Sequence, residues 1–227
     1  MEWIDQIRMA IEKLTEWDSS KKAFGHFETI DENAETTGKN DRLYEFWCLM
    51  KILEDLSNNY NISVVPYDRS DHKIFPQSPA PKKRWSYFRI DSKENPGNGY
   101  QICYGTKIKL SYAPQTTFAA DISVQRQDST EDPDEEMVEL IMDAKYKYRT
   151  DDTISFDLIN DFMQRVHALN TADAEYTELN FNQLHYLKSN CLLTNGKGLP
   201  RHETYCIRYK IKQVERFDIG SGGNVIG

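Results

Sequence analysis

An apolar run that ends in an acid, a small residue and a lysine constrains the fold of this chain more than any other stretch of its 227 residues. The run covers 138–142 and is followed by Asp143, Ala144 and Lys145. Runs of this kind are typical of buried strands whose last residues emerge at a sheet edge or a cleft. Because side chains alternate along a strand, Asp143 and Lys145 should point to one face. A carboxylate there can bind a hard metal ion, and the neighbouring ammonium can orient a water molecule or stabilise a developing negative oxygen.

A second acid, Asp121, interrupts the strand-like run over 117–125. A buried, ionised carboxylate without a partner is costly, so such an acid is usually paired, caps a helix or binds a metal. The pattern predicts one strand here and, after an acidic surface loop over 128–136, a second strand that ends at Lys145. We expect the two strands to be adjacent and antiparallel, which would bring Asp121 close to Asp143.

A third acid, Glu45, lies on a predicted helix that begins after Asp41, a candidate N-cap, and ends near Leu56. Glu45 falls in the first turn of that helix. Two interpretations are open: the carboxylate interacts with the helix dipole, or it points from a buried helix into a cleft.

The remaining elements are predicted from periodicity and from turn residues. They are a helix over 2–17 followed by a loop, a short strand over 62–66, a hairpin or meander over 100–112, a helix from Ser155 or Phe156 to Leu169, a short helical piece over 181–187, and a last strand or two over 205–217. Together they predict an α/β (α+β) fold with a mixed central sheet flanked by helices. We divide the chain into an N-terminal helix and loop (1–40), a main domain (41–217) and a flexible tail (218–227).

Composition limits the kind of surface and the compartment. The formal net charge is −8 and the pI is about 5.2, so the surface is not basic throughout, although a local basic face can still bind phosphates. Four widely spaced cysteines without a C-x-x-C pair predict isolated, reduced thiols. No apolar run approaches the length of a membrane span, and the N-terminus lacks the features of a signal peptide. We therefore expect a cytoplasmic protein with no membrane partner.

Basic and aromatic residues alternate over 82–89, an arrangement that suits a groove that grips phosphates and stacks bases. An ordinary exposed strand would have the same pattern, and the sequence does not decide between them. A second basic segment covers 205–216.

Four segments occur in a characteristic order: Leu43-Tyr44-Glu45-Phe46-Trp47, the strand around Asp121, Asp143-Ala144-Lys145-Tyr146-Lys147, and Gln164-Arg165-Val166-His167-Ala168. In this order they resemble the PD-(D/E)xK nuclease superfamily and, within it, the McrC-like branch of restriction nucleases. The resemblance covers about 41–169 and implies a restriction-endonuclease-like core that cuts double-stranded DNA in a restriction or anti-phage defence system.

The resemblance and the chemistry of phosphodiester hydrolysis imply the same set of site residues. Mg²⁺, for which Mn²⁺ can substitute, would be held by Asp121, Asp143 and the carbonyl of Ala144, and Glu45 would complete the acidic pocket. Lys145 would polarise the attacking water or steady a phosphate oxygen. The resemblance also implies accessory roles for Tyr44, Gln164 and His167. The candidate nucleic-acid contacts are Lys82, Lys83, Arg84 and Trp85 in the basic and aromatic segment, and Lys147.

Three functions remain open at this stage. The chain is a Mg²⁺-dependent endonuclease, or a nuclease-fold protein that binds nucleic acid or a partner subunit without cutting, or an adaptor in which the Asp-x-Lys triplet arose by chance. The third predicts that Asp121 and Asp143 lie far apart. The sequence has no GxxxxGK[ST] motif, so any motor would be a partner subunit, and cutting both strands would favour a homodimer.

Overall fold

The computed structural model of the protein describes residues 38–67, 79–95, 97–169 and 189–218. Three predicted segments lie outside the described residues: the helix over 2–17 with most of its following loop, the helical piece over 181–187, and the tail beyond Asp218.

The described chain contains three α-helices and nine strands. In chain order they are α1 (Gly38–Leu56), β1 (Tyr60–Val65), β2 (Tyr87–Ser92), β3 (Gly99–Tyr104), β4 (Lys107–Leu110), β5 (Ala113–Ala119), β6 (Ile122–Arg126), β7 (Val138–Lys145), α2 (Phe156–Ala168), β8 (Asn190–Thr194), α3 (Glu203–Arg208) and β9 (Ile211–Val214).

Seven strands form one mixed sheet in the order β1-β2-β3-β6-β7-β8-β9, and β4 pairs with β5 in a separate two-stranded sheet. Pairing is antiparallel from β1 to β7 and parallel from β7 to β9. The predicted mixed α/β architecture is therefore confirmed. The sheet changes from antiparallel to parallel at β7, the strand that carries the Asp-x-Lys triplet.

Strand β7 is buried on both faces, because α1 packs on one side of the sheet and α2 on the other. Leu140, Met142 and Ala144 belong to the core under α1, whereas Ile141 belongs to the core under α2. The alternation places Asp143 on the same face as Ile141, towards α2.

Several predicted boundaries are confirmed and others are wrong. Helix α2 begins and ends within a residue of its prediction, and Ser155 caps it by accepting a hydrogen bond from the Leu158 N–H. Asp41 is not an N-cap, because α1 begins at Gly38 and places Asp41 inside the first turn. Glu45 consequently lies about two turns into the helix rather than in its first turn.

Strand pairing accounts for a second group of wrong predictions. The run over 117–125 is two strands, β5 and β6, which belong to different sheets and are separated at Ala120 and Asp121. The predicted meander over 100–112 divides in the same way, because β3 pairs with β2 and β6 while β4 pairs with β5.

The predicted last strand or two over 205–217 is confirmed only at β9 (Ile211–Val214), because residues 205–208 belong to helix α3. The tyrosine and isoleucine side chains that alternate in the sequence pack from a helix instead. Cys206 is buried, and the rings of Tyr205 and Tyr209, four residues apart, are separated by 4.6 Å. The acidic surface loop is likewise only partly correct: Glu135 is buried and accepts hydrogen bonds from the backbone and the hydroxyl of Ser111.

The four cysteines are free, as predicted, and the structure shows that all four are buried. Among the helices of the described chain, none has both the length and the apolar character needed to cross a membrane.

Tyr44 joins the first described helix to the end of the described chain. It is fully buried in α1, and its hydroxyl donates to the Phe217 carbonyl oxygen at 2.9 Å. Tyr44→Phe would leave that acceptor without this donor, so we expect the free energy of unfolding to fall by about 1–3 kcal/mol in urea titrations. Tyr112→Phe is the control, since Tyr112 is 69% exposed and should lose almost nothing. Equal stability of the two variants would contradict a structural role for the Tyr44 hydroxyl.

Candidate active site

Asp143 is the centre of a compact group of charges at the end of β7. Its side chain is 2% exposed, and each of its carboxylate oxygens contacts a cation. The Lys145 Nζ lies 2.5 Å from Oδ2, and the Arg165 Nη1 donates to Oδ1 at 3.2 Å. Lys145 comes from the same strand two residues later, as the strand period predicts, whereas Arg165 reaches the carboxylate from α2.

Asp121 lies beside Asp143, immediately before β6. The register pairs Ile122 with Met142, so the next pair along the two strands is Asp121 and Asp143. The Asp121 Oδ2 accepts a hydrogen bond from the Ala144 N–H at 2.7 Å and lies 4.0 Å from the Lys145 Nζ. The two carboxyl groups also share a hydrogen bond. The predicted proximity of Asp121 and Asp143 is confirmed, and the adaptor interpretation, which required them to be far apart, loses its basis.

Glu45 approaches the same place from α1, on the other side of the sheet. Its Oε2 accepts a hydrogen bond from the Tyr104 hydroxyl at 3.2 Å. Its charge interacts with those of Lys145 and Asp143. Glu45 lies about two turns into α1, so it does not act at the helix end, and its pKa responds to the charges of Lys145 and Asp143.

Burial and neighbouring charges separate the proton affinities of the two aspartates. Burial raises the pKa of Asp121 well above its usual value, and the charges of Asp143 and Glu45 raise it further. Burial also acts to raise the pKa of Asp143, but Lys145, the hydrogen bond from Asp121 and the charge of Arg165 outweigh it, so that this pKa is lowered. Asp143 therefore gives up its proton more readily than Asp121 does.

The ammonium of Lys145 is stabilised in its charged form. Burial acts to lower its pKa, but the charges of Asp143 and Asp121 outweigh burial and raise the pKa above the ordinary value for lysine. Lys145 therefore serves as a positive charge and a hydrogen-bond donor, not as a base.

The donor chemistry fits a divalent cation, although the ligand set is smaller than predicted. Carboxylate oxygens are the ligands that Mg²⁺ prefers. Two neighbouring carboxylates repel each other when both are ionised, and a bound cation would relieve that repulsion. Over the described parts of the chain, however, no three His, Cys, Asp or Glu side chains are grouped to hold a metal ion. Asp121 and Asp143 are together, whereas the carboxylate of Glu45 is bound to Tyr104.

The structure does not bring the three predicted accessory residues into this group. Gln164 and His167 are exposed on α2, where the His167 ring contacts Tyr209, and Tyr44 is bound to Phe217. Sequence reasoning missed Arg165 and Tyr104. Arg165 lies in the same helix motif, between Gln164 and His167, and the rotation of α2 on the sheet turns its side chain towards Asp143.

The predicted nucleic-acid contact at Lys82 is wrong. Its side chain is 2% exposed, and its ammonium donates to Gln101, Gln125 and Ser129 inside the protein. Burial lowers its pKa. Lys82 therefore joins β3, β6 and the following turn, and it is not available to a phosphate.

The other predicted contacts differ in their surroundings. Lys83 is exposed and pairs with Asp132 at 3.1 Å, and Arg84 is exposed. The indole Nε1 of Trp85 is buried without a hydrogen-bond partner in the described structure. Lys147 is half-buried just beyond β7, close to the candidate site in sequence.

An open cavity of about 490 Å³ lies beyond the ends of β8 and β9 and contains none of the three acids. It is lined by Thr153, Lys197, Gly198, Leu199, Pro200, Arg201 and Glu215. We place the candidate site at Asp143 and not in this cavity, because only the former combines perturbed acids with converging cations.

Comparison with protein-family models, with curated proteins and with solved structures finds no match for this chain. Its function must therefore be inferred from the chemistry of the site.

The burial of Glu45 should make folding stability depend on pH. Burial raises its pKa from 4.5 to about 7, against the opposing effects of Lys145 and Tyr104. The unfolded chain thus releases this proton at lower pH than the folded protein does. The native state loses stability as pH rises from about 4.5 to about 7, by up to roughly 3 kcal/mol.

Glu45→Gln removes this titration. We expect the variant to be more stable than the wild type at pH 8 and equally stable at pH 4, in metal-free urea titrations. Glu54→Gln, in the same helix and paired with Lys51, is the matched control and should not gain stability at pH 8. A pH profile of Glu45→Gln parallel to that of the wild type would show that Glu45 does not titrate in this range.

Proposed function

We propose that this chain is a metal-dependent nuclease that hydrolyses phosphodiester bonds of DNA. The observation that carries the proposal is the pairing of the partly exposed Asp121, whose pKa is raised, with the buried Asp143, whose pKa is lowered, at a strand end where Lys145 and Arg165 converge. Perturbed carboxyl groups next to fixed cations are characteristic of sites that bind a metal and a phosphate.

Asp121 and Asp143 would hold the cation, Mg²⁺ or Mn²⁺. When bound, it would neutralise charge on the phosphate and lower the pKa of a water molecule. The remaining roles, which are to orient the carboxylate and to donate hydrogen bonds, belong to residues of the chain itself. Arg165 holds one oxygen of Asp143, and so orients the carboxylate and keeps it ionised. Lys145 lies within reach of both aspartates and can donate a hydrogen bond to the attacking water or to a phosphate oxygen.

Glu45 stands at the opposite side of the aspartate pair, held by Tyr104. With a pKa of about 7 it can exchange a proton near neutral pH, which is the range required of a general base or acid. We assign to it the movement of a proton from the attacking water, or the support of the cation through a water molecule.

The finer parts of the proposal come from the sequence resemblance alone. They are double-stranded DNA as substrate, a role in restriction or anti-phage defence, a separate motor subunit and a homodimeric arrangement for cutting both strands. The net charge of −8 supports a limited basic surface or a partner as the source of phosphate contacts.

A second candidate function is a nuclease-fold protein that binds nucleic acid or a partner subunit without cutting. One observation favours it: both oxygens of Asp143 already contact cations, so the carboxylate is satisfied without a metal ion. In that case the charge group serves stability alone.

Nuclease activity is tested by incubating plasmid and oligonucleotide DNA with Mg²⁺ or Mn²⁺. We expect Lys145→Ala to lower the cleavage rate by about 100-fold or more, because a positioned donor is lost from the reaction. Lys197→Ala is the matched control: Lys197 also forms a lysine–aspartate pair, with Asp151 at 2.9 Å, but that pair is exposed. The proposal would be contradicted if the wild type cut neither plasmid nor oligonucleotide DNA, or if Lys145→Ala and Lys197→Ala cleaved DNA at equal rates.

Metal binding separates the two candidate functions. In isothermal titration calorimetry the wild type should bind Mn²⁺, and Asp121→Asn should weaken binding by about 10-fold or more, since an amide replaces a charged ligand. Asp132→Asn, which removes a surface carboxylate paired with Lys83, is the control and should bind as the wild type does. Absence of heat with the wild type would favour the protein that does not cut.

A further inference from the structure

Tyr148 is the most exposed of the large hydrophobic side chains in the described structure. Its side chain is 86% exposed, against 69% for Tyr112 and 37% for Phe156. An aromatic ring left almost wholly in water gains nothing from the fold, because its apolar surface is not buried. Tyr148 follows Lys145 of the candidate site by three residues.

The turn that carries Tyr148 is held firmly by hydrogen bonds. The side chain of Asn195 accepts from the Lys147 N–H at 2.6 Å and donates to the Lys147 carbonyl oxygen at 2.8 Å. On the other side of Tyr148, the Asp152 N–H donates to the Arg149 carbonyl oxygen at 2.9 Å. Asn195 is itself buried, so this anchor belongs to the core of the protein. The ring is presented from a fixed backbone.

The charges on either side of Tyr148 are positive. Lys147 precedes it and Arg149 follows it, and neither forms an ion pair with any residue that the structure describes. Two acids come next along the chain. Asp151 is paired with Lys197 at 2.9 Å, and Asp152 forms no ion pair with a residue that the structure describes. The surface around the ring is thus locally cationic, although the whole chain is acidic.

An exposed aromatic ring between two cations, on a rigid support, is the arrangement that binds single-stranded nucleic acid. The ring stacks on one base and the cations contact the backbone on both sides. A base inside a duplex has both faces covered by its neighbours and offers none to the ring. The arrangement therefore selects an unpaired base.

We propose that Tyr148 is a stacking platform for an unpaired nucleobase, so that the site acts on a strand with a single-stranded stretch next to the bond that is cut. This inference rests on the proposed nuclease function and narrows its substrate from fully paired double-stranded DNA to DNA with an unpaired stretch. Three residues of extended chain span at most about 10 Å, so the platform lies near the strand end that carries Lys145.

The test measures DNA binding without cleavage. A dye-labelled 20-nucleotide single strand of mixed sequence and the blunt duplex of the same sequence are titrated with protein in buffer containing EDTA, and anisotropy is recorded. Tyr148→Ala should weaken single-strand binding by about 10-fold, within the range known for loss of one stacked base, and should leave duplex binding unchanged. Tyr148→Phe keeps the ring and should bind as the wild type does. Tyr112→Ala, which removes another exposed tyrosine, is the matched control and should also leave binding unchanged.

Salt dependence separates stacking from charge. The slope of affinity against salt should be the same for Tyr148→Ala and the wild type, because stacking releases no counterions, whereas Lys147→Ala or Arg149→Ala should reduce it. Circular dichroism confirms that each variant is folded.

The inference is overturned if Tyr148→Ala binds the single strand as tightly as the wild type, if it loses single-strand and duplex binding equally, or if the wild type does not bind the single strand. None of these results depends on catalysis. The nuclease proposal fails independently, through unchanged cleavage by Lys145→Ala, so the two failures can be told apart.

Discussion

A buried carboxylate bound to a cation at each of its oxygens is the interaction on which the candidate site depends. Asp143 is 2% exposed, and an ionised group at that depth would be strongly destabilising without compensation. Lys145 supplies one cation from the same strand, and Arg165 supplies the other from α2. The pair of contacts holds the end of β7 to the helix that follows it. Removal of either cation would leave a buried charge partly unpaired, which is more costly than the loss of a surface ion pair.

The topology of the sheet explains why several elements meet at this place. Strand β7 is the last antiparallel strand and the first parallel one, and both of its faces are covered. Glu45 therefore approaches from α1, Arg165 from α2 and Asp121 from the turn before β6, and all three reach the same strand end. Ligands commonly bind at such points in α/β sheets, where the direction of the connections changes. The arrangement supports a site here independently of any resemblance.

The basic segment over 82–89 offers less cationic surface in the structure than its sequence suggests. The basic segment over 82–89 loses Lys82 to an internal hydrogen-bond network, and Lys83 is paired with Asp132. The turn after β7, with Lys147 and Arg149 around an exposed ring, lies much nearer to the reactive groups along the chain. The net charge of −8 repels phosphate, so a nucleic acid would be expected to bind at a small, local basic surface.

The sequence by itself determined the features that depend on local periodicity: the strand that ends in Asp143 and Lys145, the helix capped by Ser155, and the adjacency of Asp121 to Asp143, which follows from two strands joined by one connection. Only the tertiary structure decided which side chains complete the group. Arg165 faces Asp143, rather than the predicted Gln164 or His167, because a helix residue's neighbours depend on how the helix is rotated on the sheet, and its amphipathic pattern leaves that rotation uncertain by a residue. The sequence also did not reveal the burial of Lys82 or the helix at 203–208, because long-range packing overrides local sequence pattern.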